Sequence, residues 1–244
     1  MAIDILAMAA HRDDVEQTCG GTLLKMAERG YSTGILDLTQ GEMGTRGTAE
    51  ERGREAEEAA KILRVSWRRA LDIPDGRVEN TYDNRLTVAR VIRELRPRVL
   101  VLPYWLARHP DHYTASTLGY EACFLAGLAK LVLTKEGPTD HPLPPHRPFK
   151  IIYASLYYDV RPTFVVDISE QFESRFRALM AYRSQYSDQA AGSAIFTPAS
   201  QIRTRIESIA RFYGALAGVE YAEPFVQKEV GLVDDLIGIP VASM

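Results

Sequence analysis

Residues 3–16, IDILAMAAHRDDVE, contain the features that decide the fold of this chain. Residues 3–10 are almost continuously apolar, which is typical of a strand that is buried on both faces. Polar residues follow at once, and a helical pattern then runs over residues 16–29 and ends before Gly30. A buried strand that leads into a helix predicts the first unit of a sheet with parallel strands.

The alternation of short apolar runs and helical patterns continues along the chain. We predict strands at residues 31–38, 70–73, 99–102, 151–158 and 164–166, and helices at residues 48–63, 82–95, 111–133, 169–186 and 198–217. The helix from Thr48 should begin with a capping box, because Glu51 stands three residues later. The residues after Gly218 are too mixed to assign. The pattern predicts an α/β, Rossmann-like three-layer fold with a largely parallel central sheet and a C-terminal helical and strand extension.

A proline-rich stretch at residues 137–148 is the best internal boundary of the chain. It separates core βα units in residues 1–136 from C-terminal strands, helices and a tail in residues 149–244. Because about 100 to 200 residues make a domain, we interpret residues 1–244 as a single domain.

Composition and charge exclude several classes of protein. With 46% hydrophobic and 25% charged residues among 244, the chain has enough apolar material for one sizeable core. The net charge is −3 and basic residues do not cluster, which argues against a nucleic-acid partner. No apolar stretch approaches the roughly 20 residues that a bilayer requires, and the first ten residues lack a positively charged start, so we expect neither a membrane span nor an export signal. The two cysteines, Cys19 and Cys123, suit a reducing compartment, so we expect a cytoplasmic protein without a membrane partner.

Residues of the types that bind metals follow two of the predicted strands. The first strand is followed by His11-Arg12-Asp13-Asp14-Val15-Glu16, and the strand at 99–102 is followed by Arg108-His109-Pro110-Asp111-His112. Ligands of parallel sheets bind beyond the carboxyl ends of the strands. Imidazoles and carboxylates are the side chains that a catalytic zinc ion uses, which makes these segments a candidate metal site.

Each segment also has a simpler interpretation. An Asp-Asp pair before a helix is often a cap, and a His-x-x-His pair is often a solvated turn. Capping accounts for a carboxylate but not for the neighbouring His11, and the joint placement of both segments favours the metal site. His141 and His146 lie in the proline-rich stretch, and we interpret them as exposed loop residues. Cys19, beside two glycines, is interpreted as a small buried residue.

The two segments resemble, in order, the two motifs of the PIG-L/LmbE superfamily of zinc-dependent N-acetylglucosamine deacetylases. The first family motif is His-Pro-Asp-Asp-x-Glu, so Arg12 stands where the family has proline. The similarity extends through residues 41–48, 75–76, 103–105, 182–186 and 218–225. This larger set is most similar to the bacillithiol-biosynthesis branch, which deacetylates N-acetylglucosaminyl-malate.

The resemblance implies a role for each matching residue. It implies that Zn²⁺ is bound by His11, Asp14 and His112, that Asp13 is the general base, and that a protonated His109, oriented by Asp111, stabilises the oxyanion. It further implies that the substrate, a small amino-sugar conjugate, is bound by Glu42, Arg52, Asp75 and Arg108, with Tyr186 as an additional oxyanion donor. Arginine at position 12 should leave the loop freer and put a cation beside two carboxylates, so we expect a looser site or a lower aspartate pKa.

Other functions remain open at this point. A dinucleotide-dependent oxidoreductase would suit the alternating pattern, but Gly-x-Gly-x-x-Gly does not follow the first strand. A noncatalytic sugar-binding protein would result if Arg12 prevents metal binding. A mycothiol-type or bacillithiol-conjugate amidase, or a related deacetylase with another substrate, is also compatible with the motifs. Association into a homo-oligomer is left open.

Overall fold

The computed structural model describes residues 2–135, 141–156, 159–187 and 198–241. Its strands are β1 (Ile5–Ala9), β2 (Thr33–Asp37), β3 (Trp67–Ala70), β4 (Val99–Pro103), β5 (Lys150–Ala154), β6 (Phe164–Asp167) and β7 (Ala222–Val226). Its helices are α1 (Asp14–Thr18), α2 (Gly20–Glu28), α3 (Ala49–Ile62), α4 (Tyr82–Leu95), α5 (Pro110–Ala126), α6 (Phe172–Met180), α7 (Arg183–Tyr186) and α8 (Ala199–Ala217). None of these helices is long and apolar enough to cross a membrane.

All seven strands belong to one sheet with the order β3-β2-β1-β4-β5-β7-β6. The pairs among β3, β2, β1, β4 and β5 are parallel, whereas β7 pairs antiparallel with both β5 and β6. Strands from both sides of the proline-rich stretch therefore share a single sheet. The predicted α/β fold with a mostly parallel central sheet is confirmed.

Strand β1 is apolar throughout because both of its faces are covered. Leu6 and Met8 pack with residues of α4 and α5 on one face, while Ala7 and Ala9 pack with residues of α1 and α2 on the other. Successive side chains of a strand point to opposite faces, so a strand between two helical layers must be apolar at every position.

A glycine brings α5 close to the sheet. A Cβ atom on Gly119 would lie 2.4 Å from Met8 Cε and 2.5 Å from Leu102 Cδ2. Because glycine lacks this atom, α5 can pack directly over β1 and β4. This close packing places the first turn of α5 beside the carboxyl end of β1.

Most predicted elements are present, with shifted bounds. Residues 82–95 form α4 as predicted, and the capping box of Thr48 and Glu51 is present at the start of α3. The predicted helix at 16–29 begins at Asp14 and is interrupted at Cys19, whose φ of −137° is not helical. The predicted strand at 70–73 lies earlier, as β3, and the predicted helix at 169–186 is divided into α6 and α7.

The largest differences occur where tertiary contacts override the local pattern. The helix predicted over residues 111–133 ends at Ala126, because the buried guanidinium of Arg93 donates to the carbonyls of Ala126 and Leu131, both at 2.8 Å. These bonds satisfy one carbonyl group in the last turn of α5, which has no partner within the helix, and one beyond its end. Strand β7 lies in the tail that the pattern left unassigned, and its pairing to β5 and β6 creates it. Residues 137–140 of the predicted loop and residues 157–158 of a predicted strand lie outside the described residues.

The capping box of α3 should contribute measurably to stability. Thr48→Ala removes the side-chain oxygen that accepts the Glu51 N–H at 3.1 Å. We expect the free energy of unfolding in urea to fall by about 1 kcal/mol, as for other N-cap substitutions. The control is Thr117→Ala, an exposed position within α5, which should change the free energy by less than about 0.5 kcal/mol. Equal effects of the two substitutions would contradict the capping role.

Candidate metal centre

Two segments meet at one edge of the sheet because they follow neighbouring parallel strands. Residues 11–14 follow β1, and residues 109–112 begin α5 after β4. The ring centroids of His11 and His112 lie 5.1 Å apart, and that of His109 lies 4.9 Å from His11 and 5.1 Å from His112. The three histidines selected from the sequence therefore form a single cluster.

Three donor atoms in this cluster form a nearly equilateral triangle. His11 Nδ1 lies 3.1 Å from His112 Nε2 and 3.4 Å from Asp14 Oδ2, and His112 Nε2 lies 3.3 Å from Asp14 Oδ2. Tetrahedral zinc ligands at about 2.0 to 2.1 Å from the ion lie about 3.4 Å from one another. The donor spacing of His11, Asp14 and His112 therefore fits one tetrahedral metal ion.

Two other groups of side chains also have metal-type spacing, and both include His11. One group combines His11 with His109 and His112, and the other combines it with Asp75 and Asp111. In the second group, His11 Nε2 lies 3.1 Å from Asp75 Oδ1 and 3.3 Å from Asp111 Oδ2.

The two carboxylates of the second group, those of Asp75 and Asp111, also accept hydrogen bonds from backbone N–H groups. Asp111 accepts the N–H groups of Gly76 at 2.8 Å and Val78 at 3.2 Å, and Asp75 accepts the N–H of Met43 at 3.0 Å. Held in this way, they accept a hydrogen bond from Nε2 of the His11 ring and leave Nδ1 for a metal. Such outer-shell carboxylates orient metal-binding histidines in many sites.

The electrostatics of the cluster favour positive charge. Burial alone would lower the pKa of His11, but Asp14 and the hydrogen bonds to Asp111 and Asp75 raise this pKa to about 12. Burial would likewise raise the pKa of Asp14, and the charges of His112 and His11 instead hold it well below its ordinary value. A cation is therefore stabilised at the position that the three donors surround.

Asp13 lies beside the donor triangle and belongs to a different set of contacts. It occupies the N-cap position of α1, yet its side chain makes no capping hydrogen bond. Its Oδ1 lies 3.3 Å from Arg52 Nη2, and its Oδ2 accepts hydrogen bonds from the Tyr186 hydroxyl and, at 3.3 Å, from Gln17 Nε2. These contacts hold the Asp13 carboxylate in one orientation. In this structure the Tyr186 hydroxyl, for which the resemblance implied a role as oxyanion donor, donates to Asp13.

A glycine allows Arg52 to reach this position. Arg52 Nη1 donates to the carbonyl of Gly41 at 3.1 Å, and Gly41 has a φ of +71°. A Cβ atom on Gly41 would lie 2.0 Å from Arg52 Nη1. The position therefore requires glycine, both for its backbone conformation and for the close approach of the guanidinium.

An open cavity of about 490 Å³ leads to the cluster. Its wall includes His11, Asp13, Asp14, Gln17, Met43, Gly44, Thr45, Arg52, Asp75, Gly76, Arg108, His109, His112, Leu156 and Gln185. Three of the predicted substrate-binding residues, Arg52, Asp75 and Arg108, thus line it. Glu42 has a supporting contact instead, since its carboxylate accepts the backbone N–H of Asp75 at 2.8 Å.

The surroundings of His109 differ from the sequence prediction. The Asp111 carboxylate contacts His11, and it is the backbone N–H of Asp111 that donates to His109 Nδ1 at 3.2 Å. Desolvation, together with the charges of His11 and His112, lowers the pKa of His109, which disfavours the protonated ring that we expected. The predicted contact between the Asp111 side chain and His109 is therefore corrected: the backbone N–H of Asp111, at the start of α5, contacts the His109 ring instead.

Arg12 also differs from the prediction. Its guanidinium is buried, donates to the carbonyl of Ala49 and reaches Gln40 Oε1 at 3.5 Å. It packs against Gly53, where a Cβ atom would lie 3.1 Å from Arg12 Nη1. The cation is therefore docked on α3, and the low pKa of Asp14 comes from the two histidines.

A buried network beneath the loop was missed by the sequence analysis. Arg68 pairs with Glu16 at 2.7 Å and with Asp37 at 2.8 Å, and its guanidinium also donates to the Arg12 carbonyl. The Tyr182 hydroxyl donates to the same carbonyl. This carbonyl stands in the chain between His11 and Asp13, so the network holds the loop that presents them. The available signal was the presence of charged residues within two strands, Arg68 in β3 and Asp37 at the end of β2.

Comparisons with known proteins show which family the chain resembles. The family model described as GlcNAc-PI de-N-acetylase, PIG-L, matches residues 6–123. The diacetylchitobiose deacetylase of Thermococcus kodakarensis is 32% identical over 229 residues, which cover 90% of this chain and 80% of the relative.

Two solved structures are similar over most of their length. The conserved protein TT1542 from Thermus thermophilus has a TM-score of 0.83 and 39% identity, and the match covers 95% of this chain and 98% of that chain. The N,N′-diacetylchitobiose deacetylase from Pyrococcus horikoshii has a TM-score of 0.78 and 26% identity, with coverage of 92% and 83%. The named relatives are thus diacetylchitobiose deacetylases, and they do not support the finer resemblance to the bacillithiol branch. The chain belongs to the PIG-L/LmbE superfamily of deacetylases.

Proposed function

We propose that this chain is a zinc-dependent hydrolase that removes the acetyl group from an N-acetylglucosaminyl conjugate. The observation that carries the proposal is the triangle of His11, Asp14 and His112 donor atoms at 3.1 to 3.4 Å, beside the Asp13 carboxylate on the same cavity wall. Family membership supports the reaction, since the named relatives are deacetylases of N-acetylated sugars. The docking of Arg12 on α3 argues against a protein that has lost metal binding.

Two imidazoles and one carboxylate are a donor set that catalytic zinc sites use, with a further position left for water. When bound, the ion would lower the pKa of a water molecule towards about 7 and polarise the acetamide carbonyl. The side chains of the chain supply the proton transfers and the orientation of the substrate.

Asp13 is the proposed general base. Its carboxylate faces the cavity and is oriented by Arg52 and Tyr186, so it can take a proton from water and later return one to the leaving amine. Arg52 and Tyr186 then serve as positioning residues, because both contact the carboxylate directly.

His109 is proposed as a hydrogen-bond donor to the oxyanion in its neutral form. Because Nδ1 of the ring accepts the backbone N–H of Asp111, the proton of a neutral ring must reside on Nε2. That nitrogen can donate from the cavity wall to the oxygen that becomes negatively charged during the reaction. A protonated ring is not required for this role.

The group attached to the sugar has two candidates. The sequence resemblance favours malate, and the names of the relatives favour a second sugar, as in diacetylchitobiose. Arg52 is engaged with Asp13 and with the Gly41 carbonyl, so Arg108, exposed on the cavity wall, is the arginine better placed to bind a malate carboxylate. We propose N-acetylglucosaminyl-malate first and a chitobiose-type disaccharide second.

The metal ligands can be tested by substitution and elemental analysis. His112→Ala removes one corner of the donor triangle, so we expect the purified variant to lose most of its zinc and its deacetylase activity. His141→Ala is the matched control, because this histidine is exposed and lies outside the cavity. Wild-type zinc content in His112→Ala, measured by plasma mass spectrometry, would remove His112 from the ligand set.

The role of Asp13 can be separated from metal binding. Asp13→Asn keeps the shape of the side chain but loses its basicity, so we expect unchanged zinc content and a kcat lower by about 10² to 10⁴. Asp83→Asn, at an exposed position in the first turn of α4, serves as the control. A kcat within a factor of two of the wild-type value would show that Asp13 is not the base.

The two candidate substrates can be ranked by their kcat/KM values. We expect kcat/KM for N-acetylglucosaminyl-malate to exceed that for free N-acetylglucosamine by at least about tenfold, and Arg108→Ala to reduce this ratio. Diacetylchitobiose is measured in parallel under the same zinc-replete conditions. A higher kcat/KM for diacetylchitobiose than for the malate conjugate would replace malate with a second sugar and would leave the deacetylase proposal intact.

A further inference from the structure

Arg12 is held in place through both its main chain and its side chain. Its carbonyl accepts hydrogen bonds from Arg68 and from the Tyr182 hydroxyl. Its guanidinium is buried and donates to the carbonyl of Ala49 and to Gln40 Oε1, the latter at 3.5 Å. Burying a guanidinium costs free energy unless its N–H groups find acceptors, so these two acceptors determine where the side chain lies.

The acceptors of the Arg12 guanidinium belong to the two parts of the chain that hold Arg52. Ala49 is the first residue of α3, and Arg52 extends from the same helix about one turn later. Gln40 directly precedes Gly41, whose carbonyl accepts a hydrogen bond from Arg52 Nη1 at 3.1 Å. The Arg12 guanidinium therefore contacts both the helix that carries Arg52 and the segment that receives its side chain.

Gly53 provides the space that the Arg12 guanidinium occupies. Glycine is an unfavourable residue in the interior of a helix, yet Gly53 lies in the second turn of α3. A Cβ atom at this position would lie 3.1 Å from Arg12 Nη1, 3.7 Å from Cζ and 3.8 Å from Nη2. All three atoms belong to the guanidinium. The contact explains why glycine stands in this helix, and it indicates that the residues at positions 12 and 53 are matched.

We propose that Arg12 is a positioning residue, which acts through Arg52 on the Asp13 carboxylate. Gly53 makes the docking of the Arg12 guanidinium possible. The inference rests on the proposed function, since it takes Asp13 as the general base. Arg52 Nη2 lies 3.3 Å from Asp13 Oδ1, so a shift of α3 or of Gly41 would reorient this carboxylate. Small displacements of a reacting group lower the rate of a reaction strongly.

A double-mutant cycle in kcat tests the path from Arg12 through Arg52. We expect Arg12→Ala to lower kcat by about tenfold or more, because the base loses its orientation, while KM and zinc content stay within about a factor of two. In the Arg52→Ala background the base is no longer held, so the same substitution should lower kcat by less than about twofold. An equal loss of kcat in both backgrounds, or a wild-type kcat in Arg12→Ala, would overturn the proposal.

Two further variants separate positioning from a purely structural role. Arg12→Lys keeps a cationic donor that can reach the Ala49 carbonyl, so we expect it to restore part of the kcat that Arg12→Ala loses. Arg54→Ala is the matched control, because Arg54 is exposed on the same helix and lies outside the cavity, and its kcat should stay within about a factor of two. A lower melting temperature of Arg12→Ala with an unchanged kcat would show that Arg12 is only structural.

Thermal unfolding tests the match between positions 12 and 53 without any measurement of activity, so it can fail separately from the proposed function. In the Arg12→Ala background, Gly53→Ala adds a helix-favouring residue where space is free, and we expect the melting temperature to rise by about 2 to 4 °C. In the chain that retains Arg12, the added Cβ meets the guanidinium, so we expect no rise. Equal rises in the two backgrounds would contradict the match.

Discussion

The buried carboxylate of Asp14, held between His11 and His112, is the interaction on which the candidate site depends. A carboxylate removed from water needs compensating positive charge or hydrogen bonds, and here two imidazoles and the backbone N–H of His11 provide them. The same need for opposite charge explains why the carboxylates of Asp75 and Asp111 lie beside Nε2 of the His11 ring. Each charged side chain of the cluster therefore lies beside one of opposite charge.

The loop that carries Asp14 is held to the rest of the molecule through the carbonyl group of Arg12. Both Arg68 and the Tyr182 hydroxyl donate to the carbonyl of Arg12, and Arg68 is itself neutralised by Glu16 and Asp37. Removing one partner of such a buried network leaves a buried charge unpaired, and this lowers the free energy of unfolding by more than the loss of an exposed ion pair does. The departure from the family motif at Arg12 is accommodated because its side chain leaves the site and docks on α3.

The side chains that line the cavity determine what it can bind. The cavity at the carboxyl ends of β1 and β4 is lined by ionisable side chains and suits a small polar substrate. The cavity is built on the segments that follow β1 and β4.

The sequence by itself determined most of the alternation of strands and helices as far as α8, the mostly parallel sheet and the placement after strands of the segments that contain His11, Asp14, His109 and His112. These follow from local patterns, since apolar periodicity and motif spacing are properties of neighbouring residues. It also placed α4 correctly and identified the capping box at Thr48. Only the tertiary structure decided which side chains contact one another across the sheet. The pairing of Asp111 with His11, the docking of Arg12 on α3 and the Arg68 network join residues from 31 to 170 positions apart. Strand β7 forms because its backbone pairs with the edges of β5 and β6. Helix α5 ends at Ala126, whose carbonyl accepts a hydrogen bond from Arg93. Contacts between distant residues depend on how the elements pack, and no local pattern encodes that packing.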